Sequence, residues 1–246
     1  MATAIHDGHE VRDEVMRFMA LDEVSRLREE DPFTGRWTEI APTRVVGLRS
    51  RFEVDLNRAR ETAVYRTPED AWGLEVWREA PPDDVIARSL DAYDGFFGAL
   101  EGLYRELADR YGRFLVLDLH TYNHRREGAD GLPADPAGNP QVNVGTGTMP
   151  AREHWASLID RFMGDLAAYH FPGGELDVRE NVRFRGGACA AWTHRTFPDA
   201  ACVLSIEVKK FFMDEWTGEA DETLVDEVCN ALRPAVAGAL EELERR

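Results

Sequence analysis

Three short stretches of this sequence place side chains that can bind a metal ion or move a proton directly after apolar segments. In the first, the unbroken apolar run 114–117 is followed by Asp118, His120 and Thr121. Such a run is typical of a strand that is buried on both faces. Because ligands of open α/β sheets bind at the carboxyl ends of the strands, we expect these three side chains at a ligand-binding edge.

The second stretch is residues 5–10, in which His6 and His9 flank Gly8 after a short apolar piece. Glycine permits a tight turn there, and a turn can direct both imidazoles at one ion. The third stretch is an apolar run that ends in Glu207. Catalytic zinc sites take three ligands from histidine nitrogens and carboxylate oxygens and leave one position for water. We interpret the three stretches as one metal-centred hydrolytic site, in which Asp118 either supports a histidine ligand or caps its strand.

Glu207 is our candidate general base and acid. A carboxylate at the end of an apolar strand is costly unless it is paired or takes part in chemistry. Beside an activated water, it can accept a proton and then deliver it to a leaving amine. The alternative is an ion pair with Lys209 or Lys210. The remaining histidines are expected at the surface or in ordinary hydrogen bonds: His124, His154, His170 and His194.

Composition limits the class of protein. The 246 residues, 43% hydrophobic and 30% charged, can bury a full core, and no repeat or linker divides them, so we expect one domain over residues 1–246. The net charge of −17 argues against a nucleic acid or an anionic membrane as partner. A small anionic substrate is compatible with it, because a local arginine cluster can override the global field.

Redox state and location also follow from composition. The three cysteines are widely spaced and are expected to be reduced and mostly buried. The sequence has no signal segment and no apolar run of about 18 residues, so we predict a cytoplasmic protein without a membrane span. The oligomeric state stays open.

The elements that must position these residues alternate between strands and helices. Helical periodicity marks residues 10–27, a long segment from the turn at 81–84 to residue 111, and segments 154–169 and 223–243. Strands are predicted at 45–48, 50–58, 114–117, 143–146 and 201–206, and a turn at 184–187. This order predicts an α/β layered domain.

Six patterns occur in order between residues 5 and 215: His6-Asp7-Gly8, Phe52-Glu53-Val54-Asp55-Leu56-Asn57-Arg58, Asp118-Leu119-His120-Thr121, Asn143-Val144-Gly145-Thr146, the turn at 181–187, and Leu204-Ser205-Ile206-Glu207 with Phe212-Met213-Asp214-Glu215. In this order they resemble the N-formylglutamate amidohydrolase family, which belongs with the zinc carboxypeptidase-like and aspartoacylase-like hydrolases. The resemblance implies a three-layer α/β/α fold with a mixed, mostly parallel sheet. It also implies Zn²⁺, or another divalent transition metal, and hydrolysis of an amide such as that of N-formyl-L-glutamate.

The resemblance implies His6 and His120 as metal ligands. For the third ligand, Asp31 and His9 are ranked together, ahead of Glu10. Asp31 lies where the family carries an acidic residue, whereas His9 or Glu10 would give a compact pair with His6.

Substrate binding is assigned on the same basis. Asn57 and Arg58 fit a clamp for a substrate carboxylate, because a guanidinium can hold a carboxylate with two parallel hydrogen bonds. The alternative for Arg58 is an ion pair at its strand end with Asp55 or Glu61. Three further residues are candidates for substrate contact: Asn143, Thr146 and Arg195.

Two segments depart from the family pattern. Where the family usually carries an arginine after the Gly-Gly turn, this chain has Ala190-Ala191-Trp192, with Arg195 as the nearest substitute. The bulky stretch 122–126 replaces small residues. These departures keep open a zinc carboxypeptidase or peptide-processing hydrolase of the same fold. A catalytically inactive binding module is the third alternative, although the presence of His6, Arg58, His120 and Glu207 argues against it.

Overall fold

The computed structural model of the chain describes residues 1–245. Within these residues the centre of the fold is one sheet of six strands: β1 Ala2–Ala4, β2 Arg44–Val46, β3 Phe114–Tyr122, β4 Val142–Gly145, β5 Val178–Glu180 and β6 Ala201–Lys209. The strand order is β2-β1-β3-β6-β4-β5. The first four strands in that order are parallel, and β4 pairs antiparallel with β6 and parallel with β5. The predicted α/β class, with a mixed and mostly parallel sheet, is confirmed.

Helices cover both faces of this sheet. On one face lie α4 Asp83–Tyr111 and α6 Ala188–Thr196, and on the other α5 Ala156–Ala167 and α7 Glu222–Glu244. Three short helices, α1 Asp13–Met16, α2 Glu23–Glu29 and α3 Thr34–Trp37, lie between β1 and β2 in the chain. None of the helices in residues 1–245 is long and apolar enough to cross a lipid bilayer. As predicted, the three cysteines are buried: Cys189, Cys202 and Cys229.

Strand alternation decides which side chains reach the site. All nine residues of β3 are buried. Leu115, Leu117 and Leu119 pack in the core under α5 and α7, whereas Phe114 and Val116 pack under α4 and α6. Since neighbouring side chains of a strand point to opposite faces, residues 118 and 120 lie on the α4 and α6 face. The parallel register with β6 pairs residue 120 with residue 207, so the histidine and the glutamate are neighbours at the carboxyl edge.

The helix predicted for residues 10–27 is interrupted. Only α1 and α2 are helical, because the segment between them pairs with residues 76–78. Ala20 N donates to Val76 O at 2.8 Å, and Arg78 N donates to Phe18 O at 2.8 Å. This tertiary pairing overrides the helical stripe.

The strand predicted for residues 50–58 was wrong. The segment forms consecutive turns, in which Glu53 N donates to Ser50 O at 3.0 Å. Its alternation arises from packing on two sides: Phe52 belongs to a small core with Val15 and Met19, and Leu56 to the core under α4. The polar residues between them are buried and paired rather than exposed.

Candidate metal centre and active-site pocket

Three buried side chains meet at the carboxyl edge of β1 and β3: His6, Asp31 and His120. One donor atom from each lies within 4.8 Å of the others. Asp31 Oδ2 is 2.8 Å from His120 Nδ1 and 3.4 Å from His6 Nδ1. Two imidazole nitrogens and one carboxylate oxygen form a donor set used by catalytic zinc sites.

Each of the two histidines has a second carboxylate behind it. His6 Nε2 lies 2.7 Å from Asp55 Oδ1, and His120 Nε2 lies 3.2 Å from Asp118 Oδ2. His6 Nδ1 is buried without a hydrogen-bond partner in residues 1–245. Metal-binding histidines usually direct their second ring nitrogen at a carboxylate, as both rings do here. The residues therefore fit a divalent ion bound through His6 Nδ1, His120 Nδ1 and Asp31.

Charge complementarity dominates this group. Burial alone would raise the pKa of Asp31, but its hydrogen bond with His120 and the proximity of His6 hold it well below its usual range. Burial alone would lower the pKa of His120, but the carboxylates of Asp118 and Asp31 raise it well above the usual value. Positive charge is thus strongly favoured between these carboxylates, whether a proton or a metal ion supplies it.

Asp55 anchors the His6 side of the site. It is fully buried and accepts hydrogen bonds from Arg51 Nη2 at 2.9 Å, from Asn57 N at 2.8 Å and from the Tyr65 hydroxyl, besides its contact with His6. Burial alone would raise the pKa of Asp55, but the Arg51 charge and His6 hold it well below the usual value. No sequence pattern indicates this role, since the spacing of Asp55 and Arg58 suggests only an ion pair between them.

Glu207 lies beside this group in the parallel β3–β6 register and is partly exposed. Burial raises its pKa to about 7, while the charge of His120 acts in the opposite direction. Neither nearby lysine pairs with Glu207. Lys209 Nζ donates to Asn139 O at 2.9 Å, and Lys210 Nζ donates to two backbone carbonyls. A carboxylate with a pKa near neutrality is suited to accept and return a proton.

A cavity of about 200 Å³ opens onto these side chains and is lined by His6, Asp31, His120 and Glu207. Four cationic residues, none of which we proposed as a site residue from the sequence, complete much of the lining: Arg51, Arg126, Arg185 and Lys210. The guanidinium groups of Arg126 and Arg185 make no hydrogen bond or ion pair within the described part of the chain. The pocket of this acidic protein therefore presents positive groups to an anion, although spacing along the sequence gave no indication of them.

The structure brings some of the other predicted site residues to this pocket and not others. Asn57 lines it, and its Oδ1 accepts a hydrogen bond from Cys189 N at 3.1 Å. Arg58 does not line it. Its guanidinium donates to Asp70 O at 2.5 Å and lies 4.8 Å from the Tyr65 ring. Its Nε is 3.7 Å from Asp55 Oδ2, which is the ion pair considered as its alternative role.

His9 lies outside the group of His6, Asp31 and His120. Its Nδ1 bonds to the buried carboxylate of Glu30, and Arg26 donates to its backbone oxygen at 2.9 Å. Glu10 is exposed and pairs through its backbone with Arg49. Of the three candidates for the third ligand, only Asp31 lies beside both histidines.

Asn143, Thr146 and Arg195 do not line the pocket. Asn143 is fully buried and fixes the turn before the Gly-Gly pair by bonding Phe184 O at 2.9 Å and Arg183 N at 2.8 Å. Thr146 is buried, and its backbone N–H donates a hydrogen bond to Asn181 Oδ1 at 2.9 Å. Arg195 is exposed on the last turn of α6. Asn143 therefore shapes the pocket wall indirectly.

Comparison with known proteins agrees with this architecture. The model of the N-formylglutamate amidohydrolase family matches residues 1–213. The crystal structure of N-formylglutamate amidohydrolase from Ralstonia eutropha JMP134 superposes with a TM-score of 0.70 at 18% identity, covering 96% of this chain and 92% of that chain. The structure of a gene product from Agrobacterium tumefaciens gives 0.68 at 17% identity, covering 99% and 91%. No curated protein gives a significant match.

At these identities the two superpositions establish the fold alone, whereas the family model spans most of the chain. The matched range includes the candidate metal ligands His6, Asp31 and His120, and also Glu207 on β6. The chain belongs to the N-formylglutamate amidohydrolase family and is a hydrolase of that kind.

Proposed function

We propose that this protein is a zinc-dependent hydrolase of N-acyl amino acids that carry a carboxylate, with N-formyl-L-glutamate as the representative substrate. The observation that carries the proposal is the pocket in which Glu207 lies beside the group of His6, Asp31 and His120. A divalent ion held by these three residues supplies Lewis-acid activation of water and of the scissile carbonyl.

The protein's own residues then have separate tasks. Asp55 and Asp118 orient the imidazoles of His6 and His120, so that Nδ1 of each ring faces Asp31. Glu207 accepts a proton from the attacking water and returns it to the departing amine. The partial enclosure of Glu207 supports this role, because a carboxylate with a pKa of about 7 is a stronger base than one in water.

For the substrate carboxylate, the geometry favours Arg126 and Arg185 over Arg58. The guanidinium groups of the first two line the cavity without a partner in residues 1–245, whereas that of Arg58 is bonded to Asp70 O and does not line it. Asn57 lies in the lining and is a further candidate contact. We expect Arg126→Gln and Arg185→Gln to raise KM for N-formyl-L-glutamate. Arg183→Gln is the matched control, because Arg183 is exposed and outside the cavity lining.

The direct test is metal analysis of purified protein, followed by kinetics on N-formyl-L-glutamate, N-acetyl-L-glutamate, N-formyl-L-glutamine and a short peptide. We expect about one divalent ion per chain and selective cleavage of the formylated, carboxylate-bearing substrate. His120→Ala should abolish both metal binding and turnover, whereas His170→Ala, at an exposed histidine outside the pocket, should change neither.

Other outcomes identify the alternatives. Preferential cleavage of the peptide would indicate a carboxypeptidase-like enzyme. Metal binding without turnover of any substrate in the panel would indicate a binding module. Absence of metal from active wild-type protein would refute the proposed metal centre.

A further inference from the structure

Lys210 is an unusual residue in this chain. Of the 29 lysine and arginine residues only two are lysines, Lys209 and Lys210, and they are adjacent. Lys210 follows β6 and is only 1% exposed, which is rare for a lysine unless its ammonium is well partnered. It lines the active-site cavity, but it is not paired with Glu207.

The partners of the Lys210 ammonium are one carbonyl in the last turn of α2 and the carbonyl of Glu30, the residue that follows the helix. Its Nζ donates to Arg28 O at 2.5 Å and to Glu30 O at 2.8 Å. The last carbonyls of a helix lack partners within the helix, and a cation near them is favoured by the helix dipole. Glu30 O belongs to the peptide group that leads directly into Asp31, so Lys210 fixes the backbone from which Asp31 projects.

Lys210 also joins this segment to the two central strands. Its backbone N–H donates to Tyr122 O at 3.0 Å at the end of β3, and it lies three residues after Glu207. The histidine of β3 and the glutamate of β6 are held by the sheet register. Asp31 is not on a strand, so its position depends on contacts such as these.

We propose that Lys210 is a positioning residue that holds Asp31 against His6 and His120 and thereby sets the affinity of the pocket for a divalent cation. This inference rests on the proposed metal centre. Lys210 acts through the Glu30 carbonyl and has no contact with the ion itself. Removing the ammonium leaves the carbonyls of Arg28 and Glu30 without this donor and weakens the attachment of the segment that carries Asp31.

The test compares Lys210→Met with Lys209→Met. Both remove one ammonium from adjacent positions, and both ammonium groups bond backbone carbonyls, but Lys209 does not line the cavity. We expect the Zn²⁺ Kd, measured by chelator competition, to rise about 10- to 100-fold in Lys210→Met, the range for groups that support metal ligands. It should stay within about twofold of wild type in Lys209→Met. Circular dichroism of both metal-free variants checks that they fold.

A second measurement needs no variant. Wild-type protein labelled with ¹⁵N-lysine contains only two Nζ groups. We expect the Lys210 signal to exchange slowly and to shift on addition of Zn²⁺, while the Lys209 signal does not shift. This measurement decides the matter if Lys210→Met fails to fold.

The outcomes separate the two proposals. A wild-type protein that does not bind Zn²⁺ would overturn both. A wild-type protein that binds Zn²⁺, together with a wild-type Kd in folded Lys210→Met or a Lys210 signal that does not respond to Zn²⁺, would overturn the role of Lys210 alone.

Discussion

Asp55→Asn should damage the protein in two measurable ways, through stability and through metal affinity. In the wild type, Asp55 Oδ1 faces His6 and Asn57 N, while Oδ2 faces Arg51 and the Tyr65 hydroxyl. An asparagine can keep its amide oxygen on the first pair, but its NH₂ group then meets two donors. Arg51 loses its buried counter-ion. Breaking a buried ion pair of this kind costs about 3–5 kcal/mol.

Asp118→Asn is the matched control for this prediction. Asp118 supports the other histidine, but its Oδ1 accepts only the Thr3 hydroxyl at 2.8 Å, and its Oδ2 has no aligned hydrogen bond in the described chain. An amide can keep the Thr3 bond, and His120 keeps the Asp31 carboxylate at 2.8 Å as its counter-charge, so we expect a smaller loss than in Asp55→Asn, about 1 kcal/mol. Both variants should weaken Zn²⁺ binding by about 10- to 100-fold, because both carboxylates lie behind a histidine ligand.

Thermal unfolding of the metal-free proteins and chelator competition provide the two measurements. At roughly 2–4 °C per kcal/mol for a chain of this size, Tm should fall by about 6–20 °C in Asp55→Asn and by about 2–4 °C in Asp118→Asn. Equal Tm values for the two variants would refute the counter-ion argument. A wild-type Zn²⁺ Kd in either variant would refute the supporting role of that carboxylate.

Three further substitutions test separate parts of the site and core. Glu207→Gln should lower kcat by roughly 10²- to 10⁴-fold, because the variant has no carboxylate to accept the proton. Steady-state kinetics measure this effect, and chelator competition should show an unchanged Zn²⁺ Kd. Normal turnover would show that Glu207 is not the base. Gly187→Ala should lower Tm and kcat/KM, because its Cβ would lie 2.1 Å from Asn57 Oδ1, whereas Gly164→Ala on open helix surface should be neutral or stabilising. His194, whose pKa burial lowers to about 4, protonates more readily when unfolded, so its contribution to stability falls as pH drops from about 6.5 to 4. In urea unfolding, the change in stability over this pH range should be less favourable in wild type than in His194→Gln by about 3 kcal/mol.

The elements predicted best from the sequence are those whose apolar pattern has only one structural explanation. The apolar runs of β3 and β6 are buried on both faces, and α4 and α7 present one continuous apolar stripe over many turns. Local pattern and tertiary environment agree in these segments. The helix α4 ends at Gly112 with a φ of 72°, a conformation that glycine adopts readily, as the sequence indicated.

The secondary structure of residues 50–58 was predicted wrongly, because two different arrangements produce the same alternating pattern of apolar and polar residues. In residues 50–58, alternation usually indicates a strand with one solvated face. Here the polar residues are buried because Glu53 bonds Arg12 Nε at 2.7 Å and Asp55 bonds Arg51, so both sides of the segment are internal. A sequence pattern cannot distinguish a charge facing solvent from a charge facing a buried partner far away in the chain.

The same distinction explains which parts of the candidate site could be predicted. His120 and Glu207 follow apolar strands and are adjacent because β3 and β6 pair in parallel over nine residues. A slip of one residue would turn either side chain to the opposite face, so burial of the strands fixes the pair. Family resemblance and strand geometry therefore identify these two together.

Asp31 has no such constraint, which is why its place could not be separated from that of His9 by sequence. It lies after a short helix, and its position is set by contacts from three directions. Its N–H bonds His6 O at 2.9 Å, the Thr121 hydroxyl bonds its Oδ1 at 3.1 Å, and Lys210 holds the preceding carbonyl. His9 instead forms a hydrogen bond through Nδ1 with the buried carboxylate of Glu30, the residue directly before Asp31, and so lies outside the group of candidate ligands. The site thus combines two strand residues, His120 and Glu207, with two residues outside the strands, His6 and Asp31. The buried Asp55 holds His6, and Lys210 is the buried cation placed to hold the segment of Asp31.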